Sequence, residues 1–351
     1  MPSALQLPDL KIRINGSDLQ GAARLDVKMV TVQEELDAAS MFAIELYNWD
    51  QYQQLVTWSD DDRFMPGQTV EIWLGYVDEL KQVMTGEIIS LEPEFMASDI
   101  PQVTVRGYDR RHRLQRGRQT RSFTKMKDSA IASKIAGMAG LQAKVKDSQI
   151  THEYVLQHNQ TDLAFLQERA RRIGYEVYVR DKILYFQPRP VTSKPVATLR
   201  LSEDVIDFFP RLTTVSQVSE VAVQGWDVKQ KKAILSRVSA GAEQAMGGKS
   251  TGPKSTKRAF GQSRATQVQW PVATRAEADA MARGQLDEMA LHYIHGEVLC
   301  AGRPELHAGE VVKIEGAGKT FSGPYYITAV THTVSEARGY ETRLHVQRNA
   351  A

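Results

Sequence analysis

The residues of this chain that could do chemistry are few and loosely spaced. His292 and His295 lie three residues apart near the end of a predicted helix, and the single cysteine, Cys300, follows them. Imidazole and thiolate groups are common zinc ligands, but a closed structural site needs four ligands, and no fourth ligand has suitable spacing. A histidine at a helix C-terminus is also favoured by the helix dipole. The pattern therefore does not predict a metal site.

Two groups of carboxylates are the other candidates. Asp60, Asp61 and Asp62 could hold a divalent cation, but consecutive side chains diverge and lack the spacing of a calcium loop. Glu92 and Glu94 form a pair without other groups that would support acid–base catalysis. No glycine-rich phosphate loop, nucleophile elbow or zinc-protease helix is present in the sequence. We therefore expect no enzyme activity, with no catalytic, cofactor-binding or metal-binding residues and no cofactor.

Two segments are rich in basic residues. Residues 106–127 carry nine arginines and lysines against one acid, Asp109. Phosphate binding is one interpretation, but few aromatic residues interleave with these side chains, so a solvated or interface surface is favoured. Residues 237–267 hold five glycines, five basic residues after Arg237, and Glu243 as the one acid. That composition can bury little, and we expect a mobile loop that orders only against a partner.

Length and composition are those of an ordinary globular protein. The 351 residues favour two or three domains, and hydrophobic and charged fractions of 42% and 25% allow a sizeable core. The formal net charge of +2 argues against extensive coating by nucleic acid. One cysteine excludes an internal disulfide, the N-terminus lacks a signal-peptide layout, and no run of about 18 apolar residues could span a membrane. These features indicate a protein made and folded in a reducing cytoplasm.

Apolar residues alternate between glycine turns at both ends of the chain. Three such runs lie within residues 307–349, and three similar runs lie within residues 65–108, which predicts antiparallel sheet in both places. We match the turn at Gly67 with that at Gly309, and a second turn at Gly86 with Gly323. These matches suggest an internal duplication, although any two three-stranded meanders look alike.

Between these segments the periodicity becomes helical. We predict helices at 128–139 and 160–173, followed by a hairpin that ends near Pro190. A capping box at Thr274 predicts a third helix, at 274–294. The predicted organisation is a β unit, an inserted α+β module and a second β unit that contains the mobile loop and the third helix: residues 1–112, 113–195 and 196–351.

Four motifs, in chain order, resemble a known protein family. They are a D-x-x-F-L-x-R helix with its following hairpin (Asp162–Phe186), a strand (Val223–Asp227), a P-x-L-x-x-G-x-x-V turn (Pro304–Val312) and a G-x-Y ending (Gly323–Thr342). Together they resemble the phage late control D family, the hub proteins of contractile tails. That family is related to the N-terminal part of the type VI secretion spike, the valine-glycine repeat protein G. The similarity covers essentially the whole chain.

The resemblance implies a fold and a function. The fold class would be α+β, mainly β, with two similar antiparallel β-barrel tube domains and an inserted small α+β module. In the family, three chains form a ring of six barrels that joins a six-fold inner tube to a three-fold spike. The chain would then be a homotrimeric baseplate hub of a contractile tail or injection system. Its partners would be the inner tube protein, a spike or needle tip protein and other baseplate proteins, with no membrane insertion and no nucleic acid.

The same resemblance sets expectations for location and interfaces. The protein would be made in a bacterial cytoplasm and become part of a phage tail or tail-like particle. Type VI spikes continue into a further barrel and a needle, whereas this sequence ends at Ala351, so we expect the needle in a separate protein or in a longer chain. Acidic runs at Glu87–Asp99 and Asp60–Asp62 are expected to offset residues 106–127 across a subunit interface.

Two other functions are left open by the residues alone. A cell-wall lytic enzyme of the tail tip is one, and the absence of a catalytic carboxylate or metal set in the sequence argues against it. A nucleic-acid-binding protein that uses residues 106–127 and 237–267 is the other.

Overall fold

The computed structural model describes residues 7–228, 230–268 and 270–351, so the first six residues of the predicted first β unit lie outside it. Nearly half of the described chain is β-sheet, mainly antiparallel, and the helices are confined to connections and two inserted modules. The predicted fold class, α+β and mainly β, is therefore confirmed. Among the described residues, the helices are too short or too polar to cross a bilayer.

The first barrel is built from the N-terminal part of the chain. Its elements are β1 (Pro8–Ile14), β2 (Ser17–Asp18), α1 (Ala22–Leu25), β3 (Val27–Glu35), β4 (Met41–Tyr47), a 3-10 turn (Asp62–Phe64), β5 (Thr69–Tyr76), β6 (Glu79–Glu94) and β7 (Gln102–Tyr108). The strand order is β3-β4-β7-β6-β5-β1. Alternate residues such as Val70, Ile72 and Leu74 are fully buried in one core, as the period-two pattern predicts.

The first inserted module, residues 109–190, has its own core. Its elements are α2 (Arg111–Gln115), β8 (Gln119–Lys127), α3 (Asp128–Met138), β9 (Gln142–Val145), β10 (Thr151–Gln160), α4 (Asp162–Arg172), β11 (Tyr175–Arg180) and β12 (Ile183–Pro188). The two predicted helices are confirmed. The second begins later than predicted, because Thr161 is the N-cap and its hydroxyl accepts the Ala164 N–H.

The second barrel encloses a second insertion. Its elements are β13 (Ala197–Arg200), β14 (Val205–Leu212), β15 (Glu220–Asp227), β16 (Lys232–Ser239), α5 (Gly252–Phe260), β17 (Arg264–Gln267), α6 (Arg275–Leu291), β18 (Ile294–Ala301), β19 (Val311–Glu315), α7 (Gly318–Phe321), β20 (Gly323–Ser335) and β21 (Gly339–Arg348). Strands β14-β18-β21-β20-β19-β13 form the barrel. The predicted third helix is confirmed as α6, with the Thr274 hydroxyl accepting the Glu277 N–H at 3.2 Å.

Residues 220–291 form a second inserted module that the sequence did not predict. Strands β16-β15-β17 make a separate sheet, and Val221 and Val223 pack with Ala278 and Ala282 of α6. The assignment of Val223–Asp227 to the strand that opens the second barrel is therefore wrong. Alternation places these valines on a buried face, but it does not say which partner covers that face.

The prediction that residues 237–267 form a loop with little buried surface is also wrong. The segment contains the end of β16, all of α5 and all of β17. Met246 is 1% exposed, and its N–H donates to Asn349 Oδ1 at 2.8 Å. The buried Glu243 carboxylate accepts the Thr251 hydroxyl. These contacts of Met246 and Glu243 hold the segment in place, and the average composition of the segment does not reveal them.

The two barrels share one continuous sheet, because β20 pairs with β3. Their strand orders match, except that β13 runs parallel to β19 whereas β1 runs antiparallel to β5. Gly67 and Gly309, with φ of +98° and +87°, precede the corresponding strands β5 and β19 as predicted. The second match is wrong: Gly86 lies inside β6, where a Cβ would approach the Tyr108 carbonyl oxygen to 2.7 Å. A close approach of strands, and not a turn, requires that glycine.

Candidate functional site: the junctions between barrels and modules

The residues with metal-ligand chemistry are not brought together. Cys300 lies in the core of the second barrel, where burial raises the pKa of its thiol to about 12. His295 is on the same strand but an odd number of residues away, so it lies on the opposite face. His292 caps α6 and lies 3.7 Å from Glu288. Across the described ranges, no three His, Cys, Asp or Glu side chains could share a metal ion.

Two of the five candidate carboxylates, Asp61 and Glu92, pair with arginines of the chain. Asp61 caps the 3-10 turn by accepting the Arg63 N–H, and its carboxylate also pairs with the Arg63 guanidinium. That pairing lowers the pKa of Asp61. Glu92 pairs with Arg106 through two contacts of 3.1 Å, which lowers the pKa of Glu92. These carboxylates are engaged within the chain.

Most of residues 109–114, near the start of the basic segment 106–127, are buried, so the predicted solvated or interface surface is wrong there, whereas residues 115–120 are exposed. Glu87 of β6 is 6% exposed, and its Oε2 lies 2.8 Å from His112 Nε2 and 2.9 Å from Arg113 Nε. Burial alone would raise the pKa of Glu87, but these two partners lower it. Glu87, the first residue of the acidic run that we expected to act across a subunit interface, therefore acts inside the chain.

Arg111 is the other centre of this basic segment. It is 2% exposed, and its Nε donates to Asp109 Oδ2 at 2.8 Å. Its two terminal nitrogens donate to the Glu35 carbonyl at 2.8 Å and to Ser40 Oγ at 2.6 Å. Arg111 thus fastens the β3–β4 connection to the point where the chain leaves the first barrel.

A second buried cluster joins both barrels to the first module. His307 Nδ1 lies 2.7 Å from Glu34 Oε1 of β3, and Arg180 of β11 pairs with Glu310 at 3.1 Å. Burial would lower the pKa of His307, but the hydrogen bond and charge of Glu34 raise it. Burial would raise the pKa of Glu34, but His307 lowers it in turn. The two groups therefore form an ion pair between elements far apart in sequence.

His332 lies beside this pair and is uncharged. It is fully buried in β20, and burial lowers its pKa to about 4. Its Nε2 lies 3.1 Å from the Leu306 carbonyl, which can only accept, so Nε2 carries the proton. Its Nδ1 can then accept the Tyr340 hydroxyl at 3.0 Å. His332, which lies within the G-x-Y ending (Gly323–Thr342), therefore secures the connection before β19.

The Glu34–His307 pair predicts how stability depends on pH. The charge on His307 stabilises the fold fully below its ordinary pKa of 6.5, and this contribution is lost as pH rises through the raised folded value. The Glu34 contribution is present above 4.5 and is lost as pH falls. We expect His307→Gln to destabilise the protein most between these values and less at pH 9, as measured by urea denaturation. The exposed His158→Gln should show no such dependence, and an equal loss for His307→Gln at both pH values would contradict the assignment.

A third cluster connects the first module to the second barrel and to α6. Arg189 Nε donates to Glu176 Oε1 at 2.9 Å, and the same guanidinium pairs with Glu288. The Tyr326 hydroxyl donates to Glu176. Burial would raise the pKa of Glu288, but His292 and Arg189 lower it to about 2. A cleft of about 880 Å³ lies beside this cluster, and these charged residues along it pair mainly with each other.

The two inserted modules are also fastened to each other. Asp128 accepts Arg169 Nε at 2.6 Å, and His152 lies 3.1 Å from Asp128 and 3.5 Å from Glu277 of α6. These side chains are buried or nearly so. The arrangement holds α3, α4 and α6 in a fixed relation.

Close contact of backbones makes Gly284 essential to this packing. A Cβ at Gly284 in α6 would lie 2.6 Å from the Gly174 backbone nitrogen. We expect Gly284→Ala to lower the free energy of unfolding by about 1–3 kcal/mol through overpacking. Gly137→Ala in α3 is the matched control, because its Cβ meets open space, and it should be neutral or stabilising by up to about 1 kcal/mol. Thermal denaturation measures both, and equal stability of the two variants would overturn the packing argument.

Sequence reasoning missed these junction residues. Glu34, Glu87 and Glu176 each occupy a strand position that reads as an ordinary polar residue, and their partners lie on other elements. One signal in the sequence could have indicated such partners. The arginines after β7 carry more positive charge than the single nearby acid, Asp109, can neutralise. The arrangement of all three clusters holds separate pieces of the chain together.

The chain was compared with known proteins. A family model described as the Alg8 N-terminal domain matches residues 4–336. No curated protein matches the chain in sequence. Among solved structures, the 43 kDa tail protein of prophage MuSo2 from Shewanella oneidensis is similar with a TM-score of 0.73 and 14% identity, covering 97% of this chain and 98% of that one.

Two further solved structures have the same fold. The tail protein from Neisseria meningitidis MC58 has a TM-score of 0.69 and 15% identity, covering 97% of this chain and 96% of that one. An Escherichia coli component of the type VI secretion system, described as structurally similar to the T4 tail proteins gp27 and gp5, has a TM-score of 0.63 and 16% identity, covering 97% and 77%. The likeness to the baseplate hub family is thus confirmed in the fold. The chain belongs to the family of the Alg8 N-terminal domain, and it has the fold of phage tail and type VI secretion proteins.

Proposed function

We propose that the chain is the structural hub of a contractile tail or contractile injection system, acting as a homotrimer that adapts a six-fold inner tube to a three-fold spike. The observation that supports this is the presence of two barrels with matching strand order in one chain, joined through β3 and β20. Three chains around an axis would present six similar barrels on one side while keeping three-fold symmetry overall. The role is structural and not enzymatic.

The two ends of the double barrel differ, and the difference supports an assignment of one end to the tube and the other to the spike. The β6–β7 and β20–β21 tips lie at one end, because Tyr47 pairs with Gln102 while Met29, near the same end of β3, pairs with Ser335. Both inserted modules leave from the opposite end. We call the end that carries the strand tips, and no module, the free end. Its exposed apolar side chains are Tyr52, Leu55, Phe95, Met96 and Ile100. We assign the tube to the free end and the spike to the end with the modules.

Strand β14 supplies a surface for contact between subunits. It pairs with β18 along one edge, and along its other edge it has no strand partner in the described part of the chain. Ile206 and Phe209 are 56% and 68% exposed, which is unusual for apolar residues on a strand. An uncovered apolar edge invites pairing with another chain, and ring closure would cover it.

The remaining parts of the proposal follow from the hub role. The chain would be made in a bacterial cytoplasm and become part of the baseplate of a phage tail or tail-like particle. It would contact the inner tube protein, a spike or needle tip protein and other baseplate proteins. The division at residues 1–112, 113–195 and 196–351 into tube domain, module and tube domain belongs to the same proposal, with residues 220–291 as a further module within the last unit.

Particle mass tests the proposal. We expect light scattering and native mass spectrometry of the purified chain, alone or with its tube and needle partners, to give three times 39.3 kDa, about 118 kDa, per hub. The reason is that one chain supplies only two of the six barrels. A chain that stays at 39.3 kDa in both conditions would contradict the hub function.

A further inference from the structure

We propose that the second inserted module docks a carboxylate-rich surface of a different protein chain. The docking surface, which we call the basic surface, consists of seven exposed side chains: Lys231, Lys232, Arg237, Lys249, Lys254, Lys257 and Arg258. The proposal rests on the hub function only in placing that partner within the same particle.

Among the described residues, ion pairs neutralise little of the charge of this surface. Residues 230–268 contain eight basic residues and one acid, Glu243. Only Arg264 of the eight has an ion-pair partner among the described residues, Glu220. Glu243 is buried and bonds to Thr251 and to the Gly241 N–H, so it faces inward. The seven side chains of the basic surface therefore have no ion-pair partner among the described residues.

In the first basic segment, six of the nine basic side chains have ion-pair partners among the described residues. Arg110, Arg111 and Arg113 pair with buried carboxylates, and Arg106 pairs with Glu92. The helix dipole accounts for Lys257 and Arg258, which lie in the last turn of α5, but not for the other five. Internal ion pairs therefore explain most of the charge of the first segment but little of the charge of the second.

The sheet of this module has one face that α6 does not cover, and most of the basic side chains lie near its two ends. Val221 and Val223 of β15 face α6, so the alternate residues Gln224 and Trp226 lie on the other face, and Trp226 is 56% exposed. The β15–β16 turn carries Lys231 and Lys232 at one end. Helix α5 connects β16 to β17. Both strands pair with Glu220, the first residue of β15, so α5 lies near the other end of the sheet. Eight strand residues span about 26 Å, which is a suitable length for a protein contact.

Exposed apolar residues favour a protein partner over nucleic acid. Trp226, Val228, Phe260 and Val268 are each more than half exposed in this module. Tryptophan with arginine and apolar neighbours is typical of protein interfaces. Single-stranded nucleic acid needs aromatic side chains at the spacing of successive bases, whereas Trp226 and Phe260 lie at opposite ends of the sheet. Carboxylates on the partner would offset the lysines and arginines.

Zero-length carbodiimide cross-linking tests the contact directly, because it joins a lysine amine to a carboxylate that touches it. The tagged chain is purified with the particle it forms in the producing bacterium, cross-linked and mapped by mass spectrometry. We expect Lys254 and Lys257 to be joined to Asp or Glu of a different chain. Cross-links confined to this chain or to a second copy of it would overturn the proposal. Copurification with no other protein would contradict both this proposal and the hub function.

A charge-reversed variant separates docking from folding. Lys231→Glu, Lys249→Glu and Lys254→Glu together, none of them in the last turn of α5, should reduce the docked partner at least tenfold while the melting temperature and hub mass stay unchanged. The matched control, Lys146→Glu with Lys182→Glu and Lys194→Glu, reverses three exposed lysines elsewhere and should retain the partner. Equal partner content in both variants would overturn the docking proposal alone, and a monomeric wild type would overturn the hub function. Binding of a 20-base-pair duplex that only the first variant loses would assign the surface to nucleic acid instead.

Discussion

Replacing Arg111 with methionine is expected to lower the free energy of unfolding by about 3–5 kcal/mol, because one partner of a buried ion pair is removed and the other remains. Asp109 is 4% exposed and would lose the guanidinium that lies 2.8 Å from its carboxylate. The Glu35 carbonyl and the Ser40 hydroxyl would lose their donor as well. Methionine retains most of the apolar stem, so the loss reports the polar contacts.

The control for this variant is Arg106→Met. Arg106 pairs with Glu92 through equally clear geometry, but both side chains are substantially exposed, at 31% and 46%. Exposed pairs contribute about 0–1 kcal/mol, so this variant should be nearly neutral in urea denaturation. A loss below about 1 kcal/mol for Arg111→Met would show that the buried pair does not hold the β3–β4 connection.

Replacing Phe209 with aspartate is expected to abolish the trimer. Burial of a phenylalanine contributes about 1.5–3 kcal/mol, and a buried carboxylate without a partner adds a further cost. A loss of about 3 kcal/mol at one contact weakens association by more than a hundredfold. Because Phe209 is 68% exposed in the single chain, the fold itself should be unaffected. Sedimentation at micromolar concentration measures the mass of the variant.

Tyr52→Asp is the matched control for the subunit contact. Tyr52 is fully exposed, at 101%, and lies at the free end of the first barrel, away from β14. It should leave the trimer intact and weaken only the attachment of the tube. If Phe209→Asp remains trimeric with an unchanged melting temperature, β14 is not the contact between subunits.

Local signals in the sequence predicted most of the elements correctly. Thr274 with Glu277 predicted the start of α6, since a capping box involves residues three apart. Alternation predicted the strands that carry Val70 and Val312, and the turn glycines Gly67 and Gly309 have the positive φ that such turns need. Each of these signals depends on neighbours within one or two turns of the chain.

Helix α5 had a signal that average composition concealed. Pro253 lies in its first turn and Gly261, with φ of +81°, ends it, the usual asymmetry of proline and glycine at helix ends. The low hydrophobicity of the surrounding segment favoured a loop instead. The average composition of a segment is therefore a poor predictor of a short helix that one or two buried contacts hold in place.

The junctions could not be predicted from sequence, because their partners are far apart along the chain. Glu34 and His307 are separated by 273 residues, and Glu87 and Arg113 by 26. A glutamate in a strand reads as a solvated residue unless the element that covers it is known. The same reason explains why residues 106–127 suggested an exposed surface and why β15 was assigned to the wrong sheet.

End-on electron microscopy of the purified hub tests the central claim most directly. The proposed function predicts class averages with six barrel densities around one channel, in which two kinds of barrel alternate and the inserted modules follow three-fold symmetry. This result would follow from two matched barrels per chain and three chains per ring. Particles with only two barrel densities, or rings with four or eight, would contradict the account.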